Sequence, residues 1–191
     1  ISHMKKILVT LVAGILTISL FAQDSHLKFK GVPIDGSLTE FVNKMKSAGF
    51  THIGTEDGIA ALQGDFAGYK NCNVGVYTVK PLNIVSMIGV IFENRHNWSD
   101  LESDYNLLKE LLTEKYGAPA QVIEKFEGKP LDDNDKFFAV QMDECTWASL
   151  FKTESGDIEL VIHSENFKPR IILRYRDKIN TEKVRKQALE D

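Results

Sequence analysis

Apolar residues recur at helical spacing in two windows of the chain. Leu38, Phe41, Val42 and Met45 follow an i, i+3, i+4, i+7 pattern, which predicts a helix over Ser37 to Ala48 with one stripe turned toward a core. Ser37 and Glu40 stand at the spacing of a capping box, in which the two residues satisfy each other's unpaired amides, and Gly49 supplies the stop. The stretch SDLESDYNLLKELLTEKYGAP, Ser99 to Pro119, repeats the plan. Leu101, Tyr105, Leu108, Leu111 or Leu112, and Tyr116 form the stripe, Ser99 and Glu102 the box, and Gly117 with Pro119 the stop.

After each helix the pattern shortens to the period of a strand. Ile59–Phe66, Asn73–Val79 and Ile84–Phe92 follow the first helix, rich in Val, Ile and aromatic residues and separated by Gly, Asn and Pro. AQVIEKFEG, Cys145–Phe151, Asp157–His163 and Arg170–Arg176 follow the second. Set beside each other, SMIGVIFE (from Ser86) and PRIILRYR (from Pro169) align Ile88, Val90 and Phe92 with Ile171, Leu173 and Tyr175. Val74, Val76 and Thr78 align with Ile158, Leu160 and Ile162 in the same way. The expected fold class is α+β: two tandem units, each a helix packed on an antiparallel β-sheet, at residues 23–96 and 97–191, with an insertion near 128–143. A single α+β domain with two independently amphipathic helices is the alternative. A charged C-terminal helix, Asn180 to Leu189, is also expected.

The N-terminus has a different pattern. Ile1–Met4 reads as an expression scar, and Lys5 and Lys6 precede an uncharged apolar run from Ile7 to Ala22. That order of a basic stretch, an apolar stretch and a small residue predicts a secretory signal peptide over residues 1–22, cleaved after Ala22. The run falls short of the about twenty residues a spanning helix needs, so a membrane anchor is the weaker reading and no stable membrane span is expected after cleavage. The expected location is periplasmic or secreted. The ending LFAQ of that segment, the phrases LKFKGVPIDGSLTEFV and LLTEKYGAP, and the ending ILRYRDKIN resemble small exported proteins of Bacteroides-type Gram-negative bacteria. The tandem helix-plus-sheet layout is similar to the architecture of β-lactamase inhibitory protein. Neither resemblance implies catalytic residues, a cofactor or a specific ligand.

Charge narrows the partners. The chain carries −4 with His neutral, and about −6 once residues 1–22 and their two lysines are removed. Such an acidic balance disfavours nucleic acid. Only Cys72 and Cys145 are present, which permits one disulfide in an exported chain and excludes both a disulfide framework and a Cys-rich zinc site. No G-x-S-x-G elbow, H-E-x-x-H pair or phosphate-binding glycine motif occurs; Gly64, Gly68 and Gly75 suit strand bends instead. His52, His96 and His163 are scattered singly. Asp132, Asp133, Asn134 and Asp135 offer oxygen ligands but lack the spacing of a calcium loop, and a polar turn capping a short helix, Asp135 to Asp143, explains them better. No catalytic residue, metal site or cofactor is assigned.

What remains is surface. On the last predicted strand Ile171, Leu173 and Tyr175 point one way, and Arg170, Arg174 and Arg176 the other. Together with Tyr69, Tyr77 and Trp147 these arginines make an expected binding patch on an open sheet face, of residue types that dominate protein interfaces. The expected function is a non-enzymatic binding protein that recognises a protein, peptide or envelope component. A hydrolase with a site assembled from scattered residues and an envelope assembly factor are the alternatives.

Overall fold

The computed structural model describes residues 25–79, 82–130 and 132–189, so the expected export signal lies outside it. The fold is α+β, and among the described residues it comprises four helices, one two-stranded ladder and one eight-stranded antiparallel sheet. Helix α1 (Leu38–Ser47) forms where its stripe predicts, burying Phe41, Val42 and Met45. Its box is made: Ser37 Oγ accepts from the Glu40 N–H at 3.3 Å, and Glu40 Oε2 accepts from the Ser37 N–H at 3.0 Å.

Helix α2 (Trp98–Tyr116) departs from expectation at its start. The cap is Asn97, whose Oδ1 accepts from the Asp100 N–H at 2.8 Å, and not Ser99. Trp98 is the reason. Its side chain is 1% exposed, so core packing draws the helix two residues further back and leaves Ser99 and Glu102 inside it.

The sheet is built from β3 (Thr51–Glu56), β4 (Ile59–Phe66), β5 (Tyr69–Val79), β6 (Ile84–Ile91), β7 (Gln121–Phe126), β8 (Cys145–Lys152), β9 (Gly156–Glu165) and β10 (Lys168–Asp177). Their order is β3-β4-β5-β6-β10-β9-β8-β7. The four strands after α1 thus form one half and the four after α2 the other. The halves meet where β6 pairs with β10, with Val90 opposite Leu173 and Ile88 opposite Tyr175.

Sequence pattern had not marked β3, nor the small ladder of β1 (Lys28–Phe29) and β2 (Val32–Pro33). A bulge between His52 and Gly54 breaks the alternation that would betray β3. The insertion folds as α3 (Asp133–Gln141), capped by Asp132, which accepts from the N–H groups of Asn134 and Asp135, both at 2.9 Å. It therefore begins two residues before the expected Asp135. Helix α4 (Lys178–Gln187) springs directly from β10, capped by Asp177 rather than starting at Asn180. Asn180 is fully buried one turn inside.

The helices pack on one face of the sheet, α1 on β3–β6, α2 on β8–β10 and α4 across β6, β9 and β10. Alternate strand residues Val74, Val76, Ile88, Val90, Ile158, Leu160, Ile171 and Leu173 point into this layer and are buried. The segment before α1 lies in the same layer, where Phe29 meets Tyr175 edge-on at 5.4 Å and stacks on Phe66 at 5.5 Å. It is tied down by polar groups. Asp177, wholly buried, accepts from the N–H of Leu27 at 2.7 Å and of Asn180 at 2.8 Å, while the Asn180 amide donates to the carbonyls of Ile34 and Val85.

Candidate functional site

Because the helices cover one face, the other alternate residues of each strand look outward. Register sets them in rows across the sheet. One row runs Asn73, Ile91, Ile172, Val161, Ala148 and Ile123, five aliphatic side chains in succession on β6, β10, β9, β8 and β7. All five are only partly buried. The next row runs Ala61, Gly75, Gly89, Arg174, Glu159 and Leu150, and the one after it Ile59, Tyr77, Met87, Arg176, Asp157 and Lys152.

Tyr77 lies flat on this face because two positions of the row beside it, Gly75 and Gly89, lack side chains. A Cβ placed on Gly75 would stand 2.8 Å from the Tyr77 ring and hydroxyl, and one on Gly89 would stand 3.3 Å from the ring. The two opposed glycines form the bed of the ring. Across from it, Arg174 Nη1 and Arg176 Nη2 both donate to the same oxygen, Glu159 Oε2, at 2.9 and 3.1 Å. Arg170, further along β10, donates from Nη2 to Glu165 at 3.1 Å, and its buried Nε–H has no acceptor.

Four of the six expected patch residues, Tyr77, Arg170, Arg174 and Arg176, therefore share the open face. Tyr69 and Trp147 do not. The Tyr69 hydroxyl donates to Asp104 of α2 at 2.9 Å on the helix side, and its ring meets Phe92 edge-on at 5.0 Å. Burial and the adjacent Asp104 carboxylate push the Tyr69 phenol well above its ordinary range, so it stays protonated. Trp147 packs against Trp98 at 4.9 Å and Phe126 at 5.1 Å beneath α2. Its neighbour on that side of β8, Ser149, is buried against the Tyr105 hydroxyl at 2.7 Å.

Both cysteines are free and lie on the helix side of β5 and β8. Four strand spacings separate those strands, about 19 Å, well beyond the reach of a disulfide. Burial raises the Cys72 thiol, and burial with the charges of Asp143 and Glu127 pushes that of Cys145 up to about 11. Neither is a thiolate nucleophile at neutral pH.

His52 bonds Thr55 at 2.9 Å on the exposed edge, and His163 stands opposite Arg170. The histidine with carboxylate neighbours is one the pattern did not single out, His26: Nδ1 lies 3.0 Å from Asp177 and Nε2 3.2 Å from Asp35. Both ring nitrogens are occupied, which leaves none to draw a proton from a nucleophile. Its only sequence signal was its place ahead of the buried Leu27 and Phe29. Among the described residues no group of three or more His, Cys, Asp or Glu is placed to hold a metal ion, and no helix is long and apolar enough to cross a membrane.

Shallow hollows flank the open face. One of about 350 Å³ lies at its end between Lys152, Asp157, Arg176 and the start of α4; another of about 550 Å³ lies beside Ile53, Ile59 and Ala61. Neither holds a histidine. Comparison of the chain with protein-family models, curated proteins and solved structures finds no match.

Proposed function

We propose that the chain is an exported, periplasmic or secreted, non-enzymatic binding protein that recognises a protein, peptide or envelope component through the uncovered face of its sheet. In this reading residues 23–96 and 97–191 are tandem units that share a core of one helix and four strands, joined edge to edge, with the β1–β2 ladder added to the first and α3 and α4 to the second. The strand order supports the duplication, since each helix precedes its own four-stranded meander and the last strands of the two units, β6 and β10, are neighbours.

One observation carries the binding role: the aliphatic row Ile91, Ile172, Val161, Ala148 and Ile123 is left outside the core, beside a flat tyrosine and two arginines. Contiguous exposed apolar surface is costly in a monomer and marks interaction sites. Tyr and Arg are the residues such sites favour.

Affinity capture from envelope extract tests the reading, with wild type compared to Val161→Lys, Arg174→Ala and Trp147→Ala. A specific partner should be lost with Val161→Lys, weakened with Arg174→Ala, and kept by folded Trp147→Ala, whose side chain lies on the other side. Equal recovery by wild type and Val161→Lys would sink the proposal. For export, the secreted chain should begin at Gln23; finding only uncleaved protein in the membrane fraction would overturn that part.

A further inference from the structure

We propose that the β10–β9–β8 half of the open face receives an extended polypeptide segment whose sheet-facing residues, every second one along it, are two carboxylates followed by an aliphatic side chain. The carboxylates would be met by Arg174 and Arg176 and the aliphatic side chain by Ile172 and Val161. The inference rests on the sheet-face reading above and specifies the chemistry of its partner.

Charge is the first argument. On strands β7–β10 the charged outward residues are Lys125, Lys152, Lys168, Arg170, Arg174 and Arg176 against Asp157, Glu159 and Glu165, an excess of three positive charges on a chain whose total is −4. The face is opposite in sign to the molecule that bears it. A second copy of this chain, acidic overall, offers the same cationic patch to itself, so an isologous pair is disfavoured and an acidic partner favoured.

Donor capacity is the second. Each guanidinium carries five N–H groups in a planar fork suited to two oxygens of one carboxylate. Here two guanidiniums share a single oxygen of Glu159, which leaves further N–H groups of each fork for a partner. Glu159 organises the pair without saturating it.

Spacing is the third. Arg174 and Arg176 are two residues apart on one strand, about 6.6 Å, and Ile172 is the next outward residue on the same line. An extended segment laid along β10 repeats at the same interval, so alternate side chains of one partner strand would meet the two arginines and Ile172 in turn. Nucleic acid fits less well. It would satisfy the arginines but present nothing to cover five aliphatic side chains.

The test uses dye-labelled dodecapeptides in which every second residue follows the series Glu, Glu, Val with Ser between (the Glu–Val peptide), or the same with Lys in place of Glu (the Lys–Val peptide), titrated into the full chain by fluorescence anisotropy. The Glu–Val peptide should bind at least about tenfold more tightly than the Lys–Val peptide and weaken as salt is raised. Arg174→Gln with Arg176→Gln should lose that preference. Glu159→Gln, which frees both arginines, should bind the Glu–Val peptide more tightly than wild type, a gain that misfolding cannot mimic. If neither peptide is preferred while Val161→Lys still abolishes capture from extract, the acidic partner is overturned and the sheet-face reading stands. If peptide binding survives both Val161→Lys and the double arginine variant, both are overturned. Concentration-dependent self-association abolished by Val161→Lys would replace the acidic partner with a second copy.

Discussion

At the scale of single residues, Asp177 ties two separate stretches of backbone together in the covered layer. Its carboxyl is wholly buried and accepts two backbone N–H groups, one from Leu27 and one from its own helix. Asp177→Ala should lower stability by about 3 kcal/mol, because both donors are left without a partner in a dry interior; the midpoint of urea unfolding reads it. Its neighbour Asp35 has a pH signature. Burial raises its carboxyl, but the Asn180 and Gly36 hydrogen bonds and the charges of His26 and Lys183 outweigh that and hold it below the ordinary value. A depressed folded value means that its contribution is complete above about pH 4 and is lost as the pH falls through the folded value. Thermal melts between neutral pH and pH 3 should fall less steeply for Asp35→Asn than for wild type. The position of Trp147 shows what pattern reading misses at this scale. On β8, Cys145, Trp147, Ser149 and Phe151 all face the helices, but a serine in that series reads as solvent-facing. Only the Tyr105 hydroxyl, brought by α2, explains a buried Ser149. Ser149→Ala should therefore cost about 1 kcal/mol in chemical denaturation by removing one partner of that buried hydroxyl, despite removing only one atom.

At the scale of elements, local chemistry and packing shared the decisions. The Ser37 cap and the α1 stripe were legible because the residues that make them are contiguous. For α2 a better-matched box at Ser99 lost to burial of Trp98, which sequence alone could not weigh against it. Asn97→Ala should then cost about 1 kcal/mol of stability, and Ser99→Ala close to nothing; a pair of denaturation curves separates the two caps. The central strands β5, β6, β9 and β10 were readable from alternation. Edge strand β3 was not, because its bulge and its exposed residues on both sides leave no periodic signal. The arginines of β10 were legible as outward residues for the same reason that its core residues were: the period is two throughout. Tyr77 needed more than alternation, since its posture depends on glycines on two different strands.

At the scale of the whole molecule, the two halves are not independent. They share the β6–β10 pairing, the contact of Tyr175 with Phe29 and Phe66, and the Asn180 amide that bonds Ile34 and Val85 in the first half from a helix of the second. Urea unfolding followed by tryptophan fluorescence, which reports on Trp98 and Trp147 in the second half, should coincide with far-ultraviolet circular dichroism in one transition. Two separated transitions would show that the halves fold alone.

The bond from Leu27 to Asp177 spans 150 positions of the chain. Synthesis and any vectorial passage through a channel proceed from the N-terminus, so Leu27, Phe29 and Ile34 emerge long before β10 and α4 exist to cover them. Leu27 and Phe29, made early, are among the last residues to reach their places. Until the C-terminal end is free the covered layer stays unsealed. The closing corner of β10 and α4 thus sets when the molecule becomes rigid, as well as how strongly it holds.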